Sequence, residues 1–171
     1  MVRTTDLEDR NLYYQRRVEL GLTREKASEL LEVIPPERIE RIENEKFDPH
    51  PEEVLLMAEK YKMPELYNYY CTHQCPIGAK YIPEIKVKDL SRIVLEMLVS
   101  LNSIHEKKER LMEIAADGMV ANDELQDFLF IQNELEKISI TVDTLQLWVE
   151  KMKTEGLIDL EQYSRLREEE K

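Results

Sequence analysis

Two consecutive segments in the second half of the chain carry apolar residues at alternating steps of three and four. Such steps keep side chains on one face of an α-helix. The pattern therefore predicts two helices of about 26 to 31 residues, each on the order of 40 Å long. We call the predicted apolar line on each helix the seam. It comprises Leu90, Val94, Met97, Leu101, Ile104, Leu111 and Ala115, with Lys108 at one position, and then Leu125, Phe128, Gln132, Leu135, Ile138, Val142, Leu145, Val149 and Met152.

The residues between the two segments predict a hairpin. Gly118 suits the end of the first helix and Asn122 the N-cap of the second, so the link is short and the helices are expected to be antiparallel neighbours. Asp159 is expected to cap a short closing helix. Four apolar residues lie off the seam: Leu98, Ile131, Ile140 and Leu147. They are candidates for a second apolar face that pairs two subunits. Alternatively, they pack against the closing helix and the N-terminal domain.

The first half of the chain is predicted to form about five short helices. With only 4 Gly and 3 Phe in 171 residues, the composition favours helices over sheets. Helix starts are expected after Thr23, which is a good N-cap, and at Pro35 or Pro36, Pro51 and Pro64, because proline suits a first helical turn. The first helix is expected from about residue 6 to the C′ residue Gly21. The sequence therefore predicts an all-α chain with a domain at residues 1–75, a linker at 76–87 and a coiled-coil-like hairpin domain at 88–171. No helix is expected in the linker, because Pro76, Gly78 and Pro83 break helices.

Residues 7–70 resemble the Xre/Cro-like, lambda-repressor-like helix-turn-helix family. "LYYQRRVELGLT" resembles the family's first helix and junction, and "REKASELLEV" its second helix, with Ser28 as the small residue where two helices meet at a steep angle. "RIERIENEKFDPHPEEVLLMAEKY" resembles the third helix, its exit loop and the fourth helix. The resemblance implies a five-helix lambda-repressor-like domain at the N-terminus.

The resemblance also implies a function. The third helix would enter the major groove of DNA, held to the core by Ile39 and Ile42, as in a sequence-specific transcriptional regulator, and the C-terminal helices would form a homodimer or contact a partner. The residues that it implies as DNA contacts are Arg24, Glu37, Arg38, Arg41, Asn44 and Lys46. The alternative from the residues alone is that Arg38 and Arg41 pair with Glu37, Glu45 or other neighbours on a solvated helix.

The sequence departs from the family pattern in ways that bear on this function. Glu32 stands where the family usually has Gly, and Pro35 with Pro36 makes the turn one residue longer. Glu37 and Glu40 place negative charge on the third helix, and the net charge of the chain is −12. Negative charge weakens binding that rests on phosphate neutralisation. A second hypothesis is therefore a protein-interaction module that keeps the helix-turn-helix fold without binding DNA.

The segment "CTHQC" contains Cys71, His73 and Cys75, residue types that bind zinc. A structural zinc site needs four ligands and the sequence offers no second cysteine pair, so the three residues are weak metal candidates and the two cysteines are interpreted as small packing groups. No metal or cofactor is expected. The sequence contains no recognisable set of catalytic residues, which predicts a protein that is not an enzyme. It also shows no signal peptide and no apolar run of about 18 residues, so we expect a cytoplasmic protein without a membrane span.

Overall fold

A computed structural model describes residues 10–116 and 118–169, and every regular element in these ranges is a helix. This confirms the predicted all-α fold. The start of the first predicted helix, at residues 6–9, lies outside the described residues, as do residues 117, 170 and 171 of the predicted hairpin domain. The helices are α1 (Leu12–Glu19), α2 (Arg24–Leu31), α3 (Pro36–Glu43), α4 (Pro51–Lys60), α5 (Glu65–His73), α6 (Gly78–Tyr81), α7 (Leu90–Glu106), α8 (Lys108–Ala115), α9 (Leu125–Thr154) and α10 (Leu160–Glu169).

The described residues divide into two compact units. Residues up to Glu84 together with those from Glu150 onwards form the first unit, and Ile85–Val149 form the second. The division predicted from the sequence, at 1–75, 76–87 and 88–171, stays a prediction. The expectation that no helix forms in 76–87 is wrong, because the four residues of α6 fit between Pro76 and Pro83.

Local sequence explains where the helices of the first unit begin. The side chains of Asn11 and Thr23 accept hydrogen bonds from the backbone N–H groups of Tyr14 and Lys26, at 3.1 and 3.3 Å, and so cap α1 and α2. Pro36 and Pro51 occupy the first turns of α3 and α4, where the missing N–H group costs nothing.

Helices α1 to α5 enclose one apolar core. Ile39 and Ile42 on one side of α3 enter it, as predicted, and each is 1% exposed. The opposite side of α3 is left facing solvent. The other core residues are Tyr13, Ala27, Leu31, Ile34, Val54, Met57, Ala58, Tyr61 and Leu66.

The turn between α2 and α3 is strained at Glu32. This residue has φ +62° and ψ −45°, and the N–H of Val33 donates to the carbonyl oxygen of Leu31 at 2.6 Å. A hydrogen bond across one residue with these angles is a γ-turn of the rare, strained form. The position at which the sequence departs from the family's glycine is therefore one at which a side chain is costly.

In the second unit, helices α8 and α9 lie side by side. Lys107 Nζ and Arg110 Nε reach the carboxylate of Asp127 at 3.2 and 3.0 Å, so the end of the first segment meets the start of the second. The long first helix predicted from the seam is divided, because Lys107 at φ −103° and ψ 9° separates α7 from α8.

The side chains buried in the second unit are not the ones that the seam predicts. On α7 and α8 the buried residues are Ile93, Ser100 and Ile114, and on α9 they include Ile131, Glu134 and Thr141. Each buried line runs about one residue before the predicted seam, which leaves several seam residues 37% to 50% exposed: Leu90, Val94, Leu101, Leu125, Leu135 and Val142. The buried line on each helix mixes apolar residues with polar ones, such as Ser100, Glu134 and Thr141, so apolar periodicity alone does not identify it.

Candidate nucleic-acid interface

The solvent side of α3 carries both signs of charge. Glu37, Glu40 and Arg41 are exposed there, while Ile39, Ile42 and Glu43 point inward. Positions 39, 42 and 43 share one face of a helix, so the burial of Glu43 follows from its spacing. The candidate surface is therefore mixed and not uniformly basic.

A buried ionic cluster ties α3 to α1 and α2. Arg17 donates from Nε and Nη2 to the two carboxylate oxygens of Glu43, the second bond at 2.9 Å, and Arg24 Nε donates to the same carboxylate at 2.9 Å. Arg17 Nη1 also donates to the carbonyl oxygen of Leu22 at 2.6 Å. Burial alone would lower the pKa of Arg17, but its hydrogen bonds to Glu43 raise it overall, so the cluster stays ionic.

The guanidinium of Arg24 also faces a second carboxylate. Its Nη1 lies 3.5 Å from the carboxylate of Glu40, whose side chain is half exposed. Two carboxylates of α3 thus surround the first cation that the resemblance implies as a phosphate contact. Arg24 can reach DNA only by leaving at least part of this arrangement.

Arg38 is held within the domain by α4. Its Nε and Nη2 atoms donate to the two carboxylate oxygens of Glu53 at 2.8 and 2.6 Å, and Nη2 also donates to the carbonyl oxygen of Asp48 at 2.9 Å. Burial raises the pKa of Glu53, but the hydrogen bonds from Arg38 and from the His50 N–H outweigh it, and the pKa lies below its ordinary value. The sequence offered Glu37, Glu45 or other neighbours as partners of Arg38, and the observed partner is Glu53.

The remaining predicted contacts are more open. Arg41 is exposed, with its guanidinium 5.7 Å from the ring centre of Phe47. Asn44 Oδ1 accepts a hydrogen bond from Arg10 Nη2 at 2.6 Å. The side chains of Glu37 and Lys46 are exposed and form no ion pair within the described part of the chain.

The geometry thus separates the four predicted cations into two pairs. Arg24 and Arg38 are neutralised by carboxylates of their own domain, whereas Arg41 and Lys46 face solvent beside Glu37. Whether any of the six predicted residues touches DNA stays a prediction. The sequence patterns did not identify three residues that position this surface, namely Arg17, Glu43 and Glu53. The helical spacing of Glu43 with Ile39 and Ile42 could have indicated that Glu43 is buried.

The cysteine segment is folded around a glycine. The N–H of Gly78 donates to Cys75 Sγ at 3.4 Å, and a Cβ atom at Gly78 would lie 2.2 Å from the carbonyl oxygen of Cys71. Burial raises the pKa of the Cys71 thiol, which disfavours the thiolate that a metal requires. The ring of His73 stacks on Tyr69 at 4.5 Å. Within residues 10–116 and 118–169, no three His, Cys, Asp or Glu side chains are grouped as a metal would need.

Two short helices joined by a tight turn, with the second held by its inner face and open on its outer face, define a helix-turn-helix protein. Residues 14–68 match the family described as helix-turn-helix, so the N-terminal part of the chain is an Xre/lambda-repressor-like domain of that family. This family consists generally of DNA-binding regulators. No curated protein and no solved structure matches the chain.

Among the described residues, none of the helices combines the length and the apolar character that crossing a membrane would take.

Proposed function

We propose that this protein is a cytoplasmic, sequence-specific DNA-binding transcriptional regulator and not an enzyme. The third helix would enter the major groove, and the C-terminal helices would supply dimerisation or a partner contact. The observation that carries the proposal is the placement of α3, which is held by Ile39, Ile42 and Glu43 while its other side faces solvent. The membership of residues 14–68 in the helix-turn-helix family supports it.

In this proposal the contacts are divided between two kinds of residue. Arg41 reads a base edge, since a bidentate arginine–guanine contact discriminates by about 1–3 kcal/mol. Lys46 lies in the exit loop and contacts a phosphate, which fixes register without reading sequence. Glu37 accepts a hydrogen bond from cytosine N4 and excludes other bases by repulsion.

The ion pairs on the α3 surface favour a second candidate function. The ion pairs of Arg24 and Arg38 remove two of the four cations from the surface, while Glu37 and Glu40 remain exposed on α3. An acidic surface on a chain of net charge −12 suits a basic protein partner better than DNA. This second candidate keeps the helix-turn-helix as a protein-interaction module.

DNA binding is tested by selection from random-sequence DNA, followed by affinity measurements at several salt concentrations. The proposal expects binding that is strongest below about 50 mM salt, because counterion release contributes most there. Absence of binding to any DNA at low salt would refute it.

Three variants test which residues of the α3 surface contact DNA and which of the two candidate functions holds. Arg41→Ala should weaken specific binding about 5- to 150-fold, the equivalent of about 1–3 kcal/mol, and should relax the preference at one base pair. Arg165→Ala, which removes an exposed arginine of α10, is the matched control and should bind as the wild type does. Glu40→Gln should strengthen binding to DNA by removing repulsion, whereas it should weaken binding to a basic protein, and so it separates the two candidates.

A further inference from the structure

A groove of about 540 Å³ lies between α7 and α9, and every residue that lines it belongs to the second unit. Small-molecule sites in proteins typically have volumes of about 300–1,000 Å³. The apolar part of the groove is formed by Leu95, Val99 and Ile140, of which Leu95 and Val99 are 63% and 58% exposed. The groove therefore offers both the volume and the apolar surface that a small organic molecule needs.

One hydroxyl group in the groove differs from its neighbours. Ser103 Oγ donates to the carbonyl oxygen of Val99 at 3.1 Å, and Thr141 Oγ1 donates to that of Lys137 at 2.7 Å. Ser100 also lines the groove and is 5% exposed, but its hydroxyl forms no hydrogen bond with any part of the chain that the structure describes. Because buried polar groups are normally hydrogen-bonded, we expect this hydroxyl to have a partner from outside these residues.

Helix α9 brings an incompletely paired carboxylate to the same groove. The side chain of Glu134 is 8% exposed, and its Oε1 atom accepts a hydrogen bond from Lys137 Nζ at 2.6 Å. Its Oε2 atom accepts none from residues 10–116 and 118–169. The side chain of Lys137 is 62% exposed, so water screens its charge. The carboxylate of Glu134 is therefore buried and only partly neutralised.

The groups that remain open in the groove select a ligand that donates hydrogen bonds. Lys88 Nζ donates to Glu96 Oε2 at 2.6 Å, and Arg92 Nε donates to Glu96 Oε1 at 3.1 Å, so this second carboxylate is fully paired. Glu134 Oε2 can only accept a hydrogen bond, and Ser100 Oγ can accept or donate one. A cationic donor binds a carboxylate more strongly than a neutral donor does. The net charge of −12 also attracts cations to the chain.

We propose that this groove binds a small organic cation that carries an ammonium group on an apolar body. The ammonium group has three donors, so it can bond to both Glu134 Oε2 and Ser100 Oγ. The apolar body covers Leu95, Val99 and Ile140, and removing these side chains from water contributes to the affinity. The inference goes beyond the proposed function, because it assigns a ligand to the second unit, and it does not depend on whether α3 binds DNA.

The test uses three probes with the same apolar body and different polar ends: phenylbutylamine, phenylbutanol and phenylbutyrate. Each is titrated into the full chain in the absence of DNA, and the methyl NMR signals of Val99 and Ile140 are followed. Phenylbutylamine should shift both signals with a dissociation constant on the order of 1 mM, as expected for a ligand of this size. Phenylbutanol should bind about tenfold more weakly, because it lacks the charge. Phenylbutyrate should bind most weakly, because Glu134 repels it.

Two serine variants test whether the open hydroxyl contacts the ligand. Ser100→Ala should weaken phenylbutylamine binding about 3- to 10-fold, which is the effect of one hydrogen bond. It should retain the helix content of the wild type in far-ultraviolet circular dichroism, since it removes a hydroxyl that has no partner in the described chain. Ser103→Ala is the matched control on the same helix and in the same groove. It should bind as the wild type does, because the hydroxyl of Ser103 is occupied by the carbonyl oxygen of Val99.

Two carboxylate variants test the charge. Glu134→Gln should weaken phenylbutylamine binding at least about tenfold and leave phenylbutanol binding nearly unchanged. Glu96→Gln removes the other carboxylate of the groove, whose oxygens are both paired, and should change the affinity for the amine less than about threefold.

Four results would overturn the proposal. The first is that phenylbutylamine shifts neither methyl signal at concentrations up to about 10 mM, roughly ten times the expected dissociation constant. The second is that phenylbutanol or phenylbutyrate binds as tightly as the amine. The third is that Ser100→Ala and Ser103→Ala have equal effects on binding. The fourth is that the signals of Val99 and Ile140 shift when the protein alone is diluted, since a second copy of the chain would then occupy the groove.

Discussion

Replacing Glu43 by alanine should strongly destabilise the first unit. The carboxylate is 1% exposed and accepts three hydrogen bonds from Arg17 and Arg24. Its removal leaves the guanidinium of Arg17, whose side chain is 8% exposed, buried without an opposite charge. Removing one partner of a buried ion pair typically costs about 3–5 kcal/mol. We expect a loss of that size in the free energy of unfolding.

Glu40 provides the control on the same helix. Its carboxylate also faces Arg24, at 3.5 Å, but its side chain is 51% exposed. Solvent screens an ion pair of this kind, and its contribution to stability is at most about 1 kcal/mol. Glu40→Ala should therefore unfold almost as the wild type does, although it removes the same charge from the same helix.

Urea unfolding at pH 7 distinguishes the two substitutions. Trp148, the single tryptophan, lies in the second unit, so its fluorescence follows that unit. Near-ultraviolet circular dichroism of the buried Tyr13 and Tyr61 follows the first. Glu43→Ala should move the tyrosine transition to much lower urea and leave the tryptophan transition in place. If Glu43→Ala and Glu40→Ala differ by less than about 1 kcal/mol, the reasoning from burial is refuted.

Three further predictions concern stability. Glu32→Gly should stabilise the first unit by about 1 kcal/mol in urea unfolding, since relief of backbone strain exceeds the entropic cost of glycine, whereas Glu29→Gly within α2 should destabilise it by about 1 kcal/mol. The folded-state pKa of Glu53 is lowered, so the stability from its pair with Arg38 is present above the ordinary glutamate pKa of 4.5 and is lost as the pH falls through the folded-state pKa. The stability difference between wild type and Glu53→Gln should therefore shrink below about pH 4.5; a difference independent of pH would contradict the pairing. Gly78→Ala should cost about 1–3 kcal/mol, because the added Cβ meets the Cys71 carbonyl oxygen, and a thermal midpoint equal to that of wild type would exclude this.

The sequence by itself determined helices α2 to α5 and the inner face of α3. Caps and prolines act on residues within one helical turn, so their effect is visible in a short stretch of sequence: Thr23, Pro36 and Pro51 begin helices as expected. The helical spacing of Ile39 and Ile42 likewise placed them in the core. The family resemblance of the N-terminal part rested on the same local features and is confirmed by the match at residues 14–68.

Tertiary structure decided the partners of the charged side chains. Arg38 can form an ion pair with any carboxylate within reach of its long side chain, and it selects Glu53, fifteen residues away, only because α4 packs beside α3. The same holds for Glu43 and Arg17, which lie 26 residues apart. These contacts decide how much positive charge remains on the candidate DNA surface. The sequence therefore identified the positively charged residues but not which of them are free of ion pairs and can contact DNA.

Tertiary structure also decided which line of residues is buried on each helix of the hairpin. Spacing at three and four residues identified helices with apolar surfaces, but the line that is buried lies about 100° from the predicted seam and includes polar residues such as Ser100 and Thr141. Only the packing of α7 against α9 assigns Ile93 and Ile131 to the core and leaves Val94 and Leu135 exposed. The physical reason is that the position of the neighbouring helix decides which line is covered, and polar residues can lie in that line when they are hydrogen-bonded, as the hydroxyl of Thr141 is to the carbonyl oxygen of Lys137.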